Sequence, residues 1–276
     1  MGIRIITDSS ADFDRATAKR RQVEIISMAV QFGNASFLDG KTITNDVFYT
    51  LLKEGRENPT TSQPTPAEFL RVFEEAKAAG DQVVAVLISS VLSGTVQSAQ
   101  IAKGMCEYED IYIVDSLSAT AGIQILVNLA CKLRDSGLPA PGIAQELERL
   151  IFAVLDTLEY LRRSGRLSGF QAGLGAMTKL KPVITVRDGA VSIAAKAFGT
   201  SAAVKQLQKF LLQYPVDDAY PSYFLYTDDK EREELLLPAL REQGKLPLRL
   251  HYSSVGPTIG THIGPGALGM AYIERE

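Results

Sequence analysis

The sequence predicts a two-domain α/β protein, with a parallel-sheet α/β domain over residues 1–142 and a second α/β domain over residues 143–276 whose sheet is largely antiparallel. Three observations carry this expectation. The first half repeats a strand, a loop rich in small hydroxyl residues, and a helix, which is the pattern of parallel strands with right-handed crossovers. The second half mixes short strand patterns with helices around a hairpin signal at Asp188-Gly189. The chain has 276 residues, 46% hydrophobic and 22% charged, ordinary for a globular protein of one large or two modest domains.

Taken in order, residues 3–7 form a short apolar run that stops at Asp8-Ser9-Ser10, and a polar helical pattern follows. Residues 23–32 and the segment around Phe37 read as extended, with a turn at Gly33-Asn34. Residues 44–53 read as a helix. Thr65 and Glu68 have capping-box spacing and Pro66 suits a first helical position. Thr61 and Ser62 are thus expected in a loop just ahead of a helix that runs to about Gly80. Residues 83–89 are a continuous apolar strand of the kind buried on both faces. The run breaks at Ser89-Ser90-Val91-Leu92-Ser93-Gly94-Thr95 and enters a helix over 96–104. A third strand, 111–114, ends at Asp115-Ser116, and a long apolar helix follows to about Ser136. In the second half, 139–142 reads as a linker. Helices are expected over 143–164, 200–214 and 230–244, and strands over 183–186, 191–195, 223–227, 246–252 and 270–274. There is no internal repeat and no low-complexity stretch.

Bulk properties narrow the function. The formal net charge is −3, from 29 basic and 32 acidic residues, which argues against a nucleic-acid partner. The two cysteines, Cys106 and Cys131, have no histidine cluster at zinc spacing and form no disulfide framework, so a reduced, cytoplasmic setting is expected, with no metal and no cofactor. The N-terminal apolar run is too short for a signal peptide, and no run approaches the ~18 residues needed to span a bilayer. Stable membrane insertion is not expected, so any lipid would be a ligand.

Three constellations carry chemistry. Strands of the first half end in hydroxyls: Ser9 and Ser10, Ser89 through Ser93, and Ser116. Ligands of open α/β sheets bind beyond the carboxyl ends of strands, where helix N–H groups favour an anion. A carboxylate only accepts hydrogen bonds, so a ring of hydroxyls suits it. Ser and Thr are also common helix caps, but one helix needs one cap, and Ser89, Ser90, Ser93 and Thr95 crowd around Gly94. The second constellation, residues 256–269, is a glycine-rich loop in which His262, one of two histidines, is presented beside Thr261. The third is basic: Arg162, Arg163, Arg166, Lys179 and Lys181 stand without an acidic residue among them, either a partner-docking patch or a solvated helix end.

In this order the segments resemble the DegV family. The matching pieces are Thr7-Asp8-Ser9-Ser10, Thr61-Ser62-Gln63-Pro64-Thr65, Ser90-Val91-Leu92-Ser93-Gly94-Thr95, Asp115-Ser116, Leu158-Glu159-Tyr160-Leu161, Ser164-Gly165-Arg166-Leu167, Lys181-Pro182 and His262-Ile263-Gly264-Pro265-Gly266. One departure is Ser164, where the family usually has a glycine. The resemblance implies a bacterial lipid-binding protein of lipid transport, not an enzyme, with a palmitate-like long-chain fatty acid in a tunnel between two domains. It implies that Thr61 and Ser93 bind the carboxylate, with His262 near the head group and Ser62, Gly94, Thr95 and Thr261 in the supporting loops. In some members a separate fatty acid kinase phosphorylates the bound fatty acid, which would make such a kinase the partner.

The main alternative is a serine hydrolase using Ser93 and His262. Ser93 lacks the Gly-x-Ser-x-Gly elbow, being preceded by Val91-Leu92, and no aspartate is clearly placed by the sequence to orient His262. A nucleotide-binding reading of the glycine-rich loop lacks the Gly-Lys-Ser/Thr signature.

Overall fold

The computed structural model describes residues 2–55, 57–148, 152–157 and 180–275. In chain order these form β1 (Ile3–Asp8), a 3-10 turn (Ser9–Ala11), α1 (Arg15–Arg20), β2 (Val23–Ile26), β3 (Ala29–Phe32), β4 (Ala35–Leu38), α2 (Asn45–Glu54), β5 (Thr60–Ser62), α3 (Pro66–Ala79), β6 (Gln82–Leu87), α4 (Thr95–Cys106), β7 (Ile111–Asp115), α5 (Ala121–Asp135) and α6 (Ala140–Glu148). The second half adds β8 (Phe152–Thr157), β9 (Leu180–Arg187), β10 (Ala190–Phe198), α7 (Thr200–Gln213), β11 (Ser222–Tyr226), a 3-10 segment (Lys230–Leu235), α8 (Leu237–Glu242), β12 (Leu250–Ser254), α9 (Pro257–Ile263) and β13 (Leu268–Ile273).

The first half is built on a four-stranded parallel sheet of order β2-β1-β6-β7. Its central strands bury alternate residues on opposite faces, which is why they read as unbroken apolar runs. Ile6, Val83, Ala85 and Leu87 face α3 and α4, packing on Phe69, Phe73 and Ala99. Ile5, Val84 and Val86 face α5 and α6. The second half is a six-stranded sheet of order β10-β9-β8-β13-β11-β12, antiparallel except for the β11–β12 pair. α7 and α8 cover its outer face, on Val183, Phe224, Met270 and Tyr272. Its inner face carries Ile184, Val186, Val191 and Leu225, which join the core cluster of the first sheet. α5 lies against both sheets, which accounts for its apolar character nearly all round. A small antiparallel sheet, β4-β3-β5, flanks this stack.

Several expectations change. The linker expected over 139–142 is instead helical from Ala140, where α6 begins, and that helix packs on α5, β6 and β7. Of the helix expected over 143–164, residues 143–148 are helical in α6, residues 152–157 are instead β8 in the middle of the second sheet, and the rest lie outside the described residues. A short apolar run cannot be told from a buried helix by periodicity alone. The single helix expected over 230–244 is broken in two, and Pro238 sits at the start of the second piece, where its missing N–H costs nothing. The strand expected from residue 246 begins only at Leu250.

Candidate ligand-binding site

A cavity of about 430 Å³ opens between the two sheets, a size suited to a small-molecule ligand. The first half lends it Ile88 and Leu92, and the second half lends it Ile184, Val186, Val191 and Leu225. Against these apolar walls stand the polar groups of Thr61, Ser62, Gln63, Ser93, Thr120, Thr258 and His262.

Thr61 is held by sheet geometry. It lies on β5 opposite Val30 of β3, so Thr61 and Ser62 belong to a short strand and not to the expected loop. The helix start behind them is as expected: Thr65 N–H donates to Glu68 Oε2 at 2.7 Å and Pro66 opens α3. Gln63 Nε2 donates to Ser98 Oγ at 3.1 Å and so lies across Gly94, where any Cβ would collide with its amide. Ser93, just ahead of α4, pairs its hydroxyl with that of fully buried Thr95 at 2.8 Å.

His262 is presented by a helix, which corrects the reading of residues 256–269 as one loop: α9 occupies Pro257–Ile263. Three helix signals were in the sequence, namely Gly256 as N-cap, Pro257 at the first position and Gly264 beyond the C-terminal end. His262 Nε2 lies 3.0 Å from Thr61 Oγ1. Thr61, Ser62, Ser93, Gly94 and His262 therefore line one cavity, although they come from three separate segments. Thr261 does not line it; its hydroxyl donates back to Pro257 O at 2.9 Å. Arg162, Arg163, Arg166 and Lys179 lie outside the described residues, and Lys181 is partly buried on β9 opposite Ala197.

Most of the other strand-end hydroxyls have structural partners. Ser10 donates to Asp8, Ser89 donates to Gly189 O at 2.7 Å, and Ser116 donates to Ser118 O at 3.2 Å. Thr120 is different, and sequence reasoning missed it. It is 4% exposed, lines the cavity, caps α5 by position but makes no capping bond, and its Oγ1 meets no hydrogen-bond partner among the described residues. Its φ of 53° is rare for a β-branched residue, and such strain gathers at functional positions. The only sequence signal was its place after the third hydroxyl-rich strand end.

The family model described as "Uncharacterised protein, DegV family" matches residues 2–275. The chain belongs to the DegV family. A DegV domain-containing protein of Caldanaerobacter subterraneus subsp. tengcongensis is 33% identical to it, over 99% of both chains. The fatty-acid-binding DegV family protein from Thermus thermophilus has 32% identity and a TM-score of 0.88, covering 99% of this chain and 100% of its own. DegV, a fatty acid binding protein from Bacillus subtilis, has 26% identity and a TM-score of 0.84, over the whole of both chains. Among the described residues of this DegV family chain, no helix is long and apolar enough to cross a membrane and no cluster of side chains is arranged to hold a metal ion.

Proposed function

We propose that this DegV family protein is a carrier that buries a long-chain fatty acid between its two sheets, with the carboxylate held by Thr61 and Ser93 and with His262 beside them. The observation that carries the reading is the convergence of those three side chains on one cavity that Met28, Ile88, Leu92, Ile184, Val186 and Leu225 line with apolar surface. Burial of roughly 15 methylenes at ~0.8 kcal/mol each gives a gross gain on the order of 12 kcal/mol. Part of that is lost to ordering the ligand. A carboxylate enters such a site only if its oxygens are hydrogen-bonded, and rotatable hydroxyls can follow either a carboxylate or an acyl phosphate. The fatty-acid-binding relatives from Thermus thermophilus and Bacillus subtilis support the same ligand class.

In this reading the protein presents its ligand and does no chemistry on it. Ser93 Oγ is engaged by Thr95, and His262 Nε2 by Thr61, an arrangement that suits gripping an anion better than activating a nucleophile. Phosphorylation falls to a separate kinase, docked through Arg162, Arg163, Arg166, Lys179 and Lys181. Such docking weakens with salt, so reversing the charges of Arg162 and Arg163 should slow acyl-phosphate formation and leave fatty acid binding intact. Unchanged kinetics would reduce the patch to solvated surface. The carrier reading itself is tested by native mass spectrometry and organic extraction of the purified protein. The expected result is one long-chain fatty acid per chain. No co-purified lipid together with no uptake of added palmitate or oleate would overturn it.

A further inference from the structure

α9 has no side-chain cap of its own, because Gly256 and Pro257 open it. Two N–H groups at its start are met by side chains from far away in the sequence. Gly256 N–H donates to Asp12 Oδ1 at 2.9 Å, and Thr258 N–H donates to Asp39 Oδ2 at 3.1 Å, with the Thr258 hydroxyl donating to the same oxygen. Negative charge at that end of a helix is favourable. Four residues on, about one turn and ~6 Å along the axis, the same helix presents His262.

Asp39 also faces the other half of the head-group contact. Its backbone N–H donates to Met28 O at 3.0 Å, directly before β3, and β3 holds Thr61 through its pairing with β5. Ser9 reinforces the junction: its Oγ accepts from Met28 N–H at 3.0 Å and lies 3.5 Å from Thr258 Oγ1. One residue is therefore bonded both to the segment leading to Thr61 and to the helix leading to His262. Asp39 is 4% exposed. Burial drives its carboxyl upward, against the bonds from Thr258, and burying an ionised carboxylate is costly. An asparagine would offer Thr258 the same acceptor without that cost, so helix capping alone does not account for an aspartate here.

We propose that Asp39 is a positioning residue for the head-group site, the common anchor that ties β3 to α9 and thereby sets His262 against Thr61. The inference rests on the carrier reading above. The ionisable groups around this anchor are Asp8 at the end of β1, Asp12 in the turn after it, Arg15 of α1, whose guanidinium bonds Gly40 O, and Tyr49 of α2, whose hydroxyl donates to Val255 O; α9 itself brings only His262, at its far end.

The experiment compares wild type, Asp39→Ala, which removes the acceptor that holds Thr258, and Thr258→Val, which cuts the hydroxyl bond from the helix side. Each is titrated with oleate and with oleyl alcohol, which share a tail but not a carboxylate. The His262 ring is followed by NMR in the ligand-free protein, with His251, the other histidine, as internal reference. Both variants should fold, lose roughly tenfold in oleate affinity and hold oleyl alcohol within about threefold, the scale of one hydrogen bond to a charged group. The His262 signals should move in both while those of His251 stay. Equal loss of both ligands would mark a merely structural role and overturn the proposal, as would unmoved His262 signals. A wild type that binds neither ligand overturns the carrier reading, and the proposal falls with it.

Discussion

Replacing Asp39 by asparagine should stabilise the fold at neutral pH, and the size of the effect follows from its burial. Desolvation holds the carboxyl at about 6, against an ordinary 3.8, despite the two bonds from Thr258. The difference of about 2 pH units corresponds to roughly 3 kcal/mol. The folded state binds this proton more tightly than the unfolded chain does. The stabilisation is therefore fully present below about pH 4 and is lost as the pH rises through about 6. At pH 7.5 the wild type lacks it, and repulsion from Asp8 and Asp12 works in the same direction. Asparagine keeps an acceptor for Thr258 and carries no charge. Its gain at pH 7.5 should approach 3 kcal/mol, or several degrees in melting temperature for a chain of this length. Urea denaturation of the lipid-stripped proteins, followed by circular dichroism at pH 5, 6 and 7.5, measures it. The gap between variant and wild type should widen with pH. A variant less stable than wild type at pH 7.5, or two parallel pH profiles, would refute the reasoning.

Thr61→Ala or Ser93→Ala alone should each weaken oleate binding about 10- to 100-fold, the worth of one charge-assisted hydrogen bond, and the double variant should be purified without lipid. A folded double variant that binds and delivers oleate like wild type would move the head-group site elsewhere. Thr120→Val removes a shielded hydroxyl at nearly constant shape, so the ligand-free protein should gain on the order of 1 kcal/mol. Thermal melts of the stripped protein check this, and no gain would mean that the hydroxyl is already satisfied.

Much of this arrangement was legible in the residues. The parallel strands announced themselves as apolar runs ending in hydroxyls, because both of their faces are buried and their carboxyl ends open on the cavity. The Thr65–Glu68 capping box and the Asp188-Gly189 turn are local chemistry and stood where expected. β8 was misread as helix because its place between β9 and β13 depends on strands far along the chain. α9 was misread as loop because the five glycines and two prolines of residues 256–269 hid a helix whose capping groups, Asp12 and Asp39, lie more than 200 residues earlier. The same distance concealed Asp39 as part of the site. Thr120 was missed because a positive φ leaves no mark in composition or periodicity.

The sharing of one core between the two sheets has a consequence for synthesis on the ribosome. Ile123, Ile125, Leu126 and Val127 of α5 end up at most 1% exposed, yet their cluster is completed by Ile184, Val186, Tyr223, Leu225 and Ile273. When α5 has emerged, the strands that cover its second flank have still to be made. At about 5–20 residues per second, the remaining chain of some 140 residues leaves that flank bare for on the order of ten seconds. The newborn protein therefore passes through an adhesive stage that its finished form does not betray, and its yield in the cell depends on what meets that surface first.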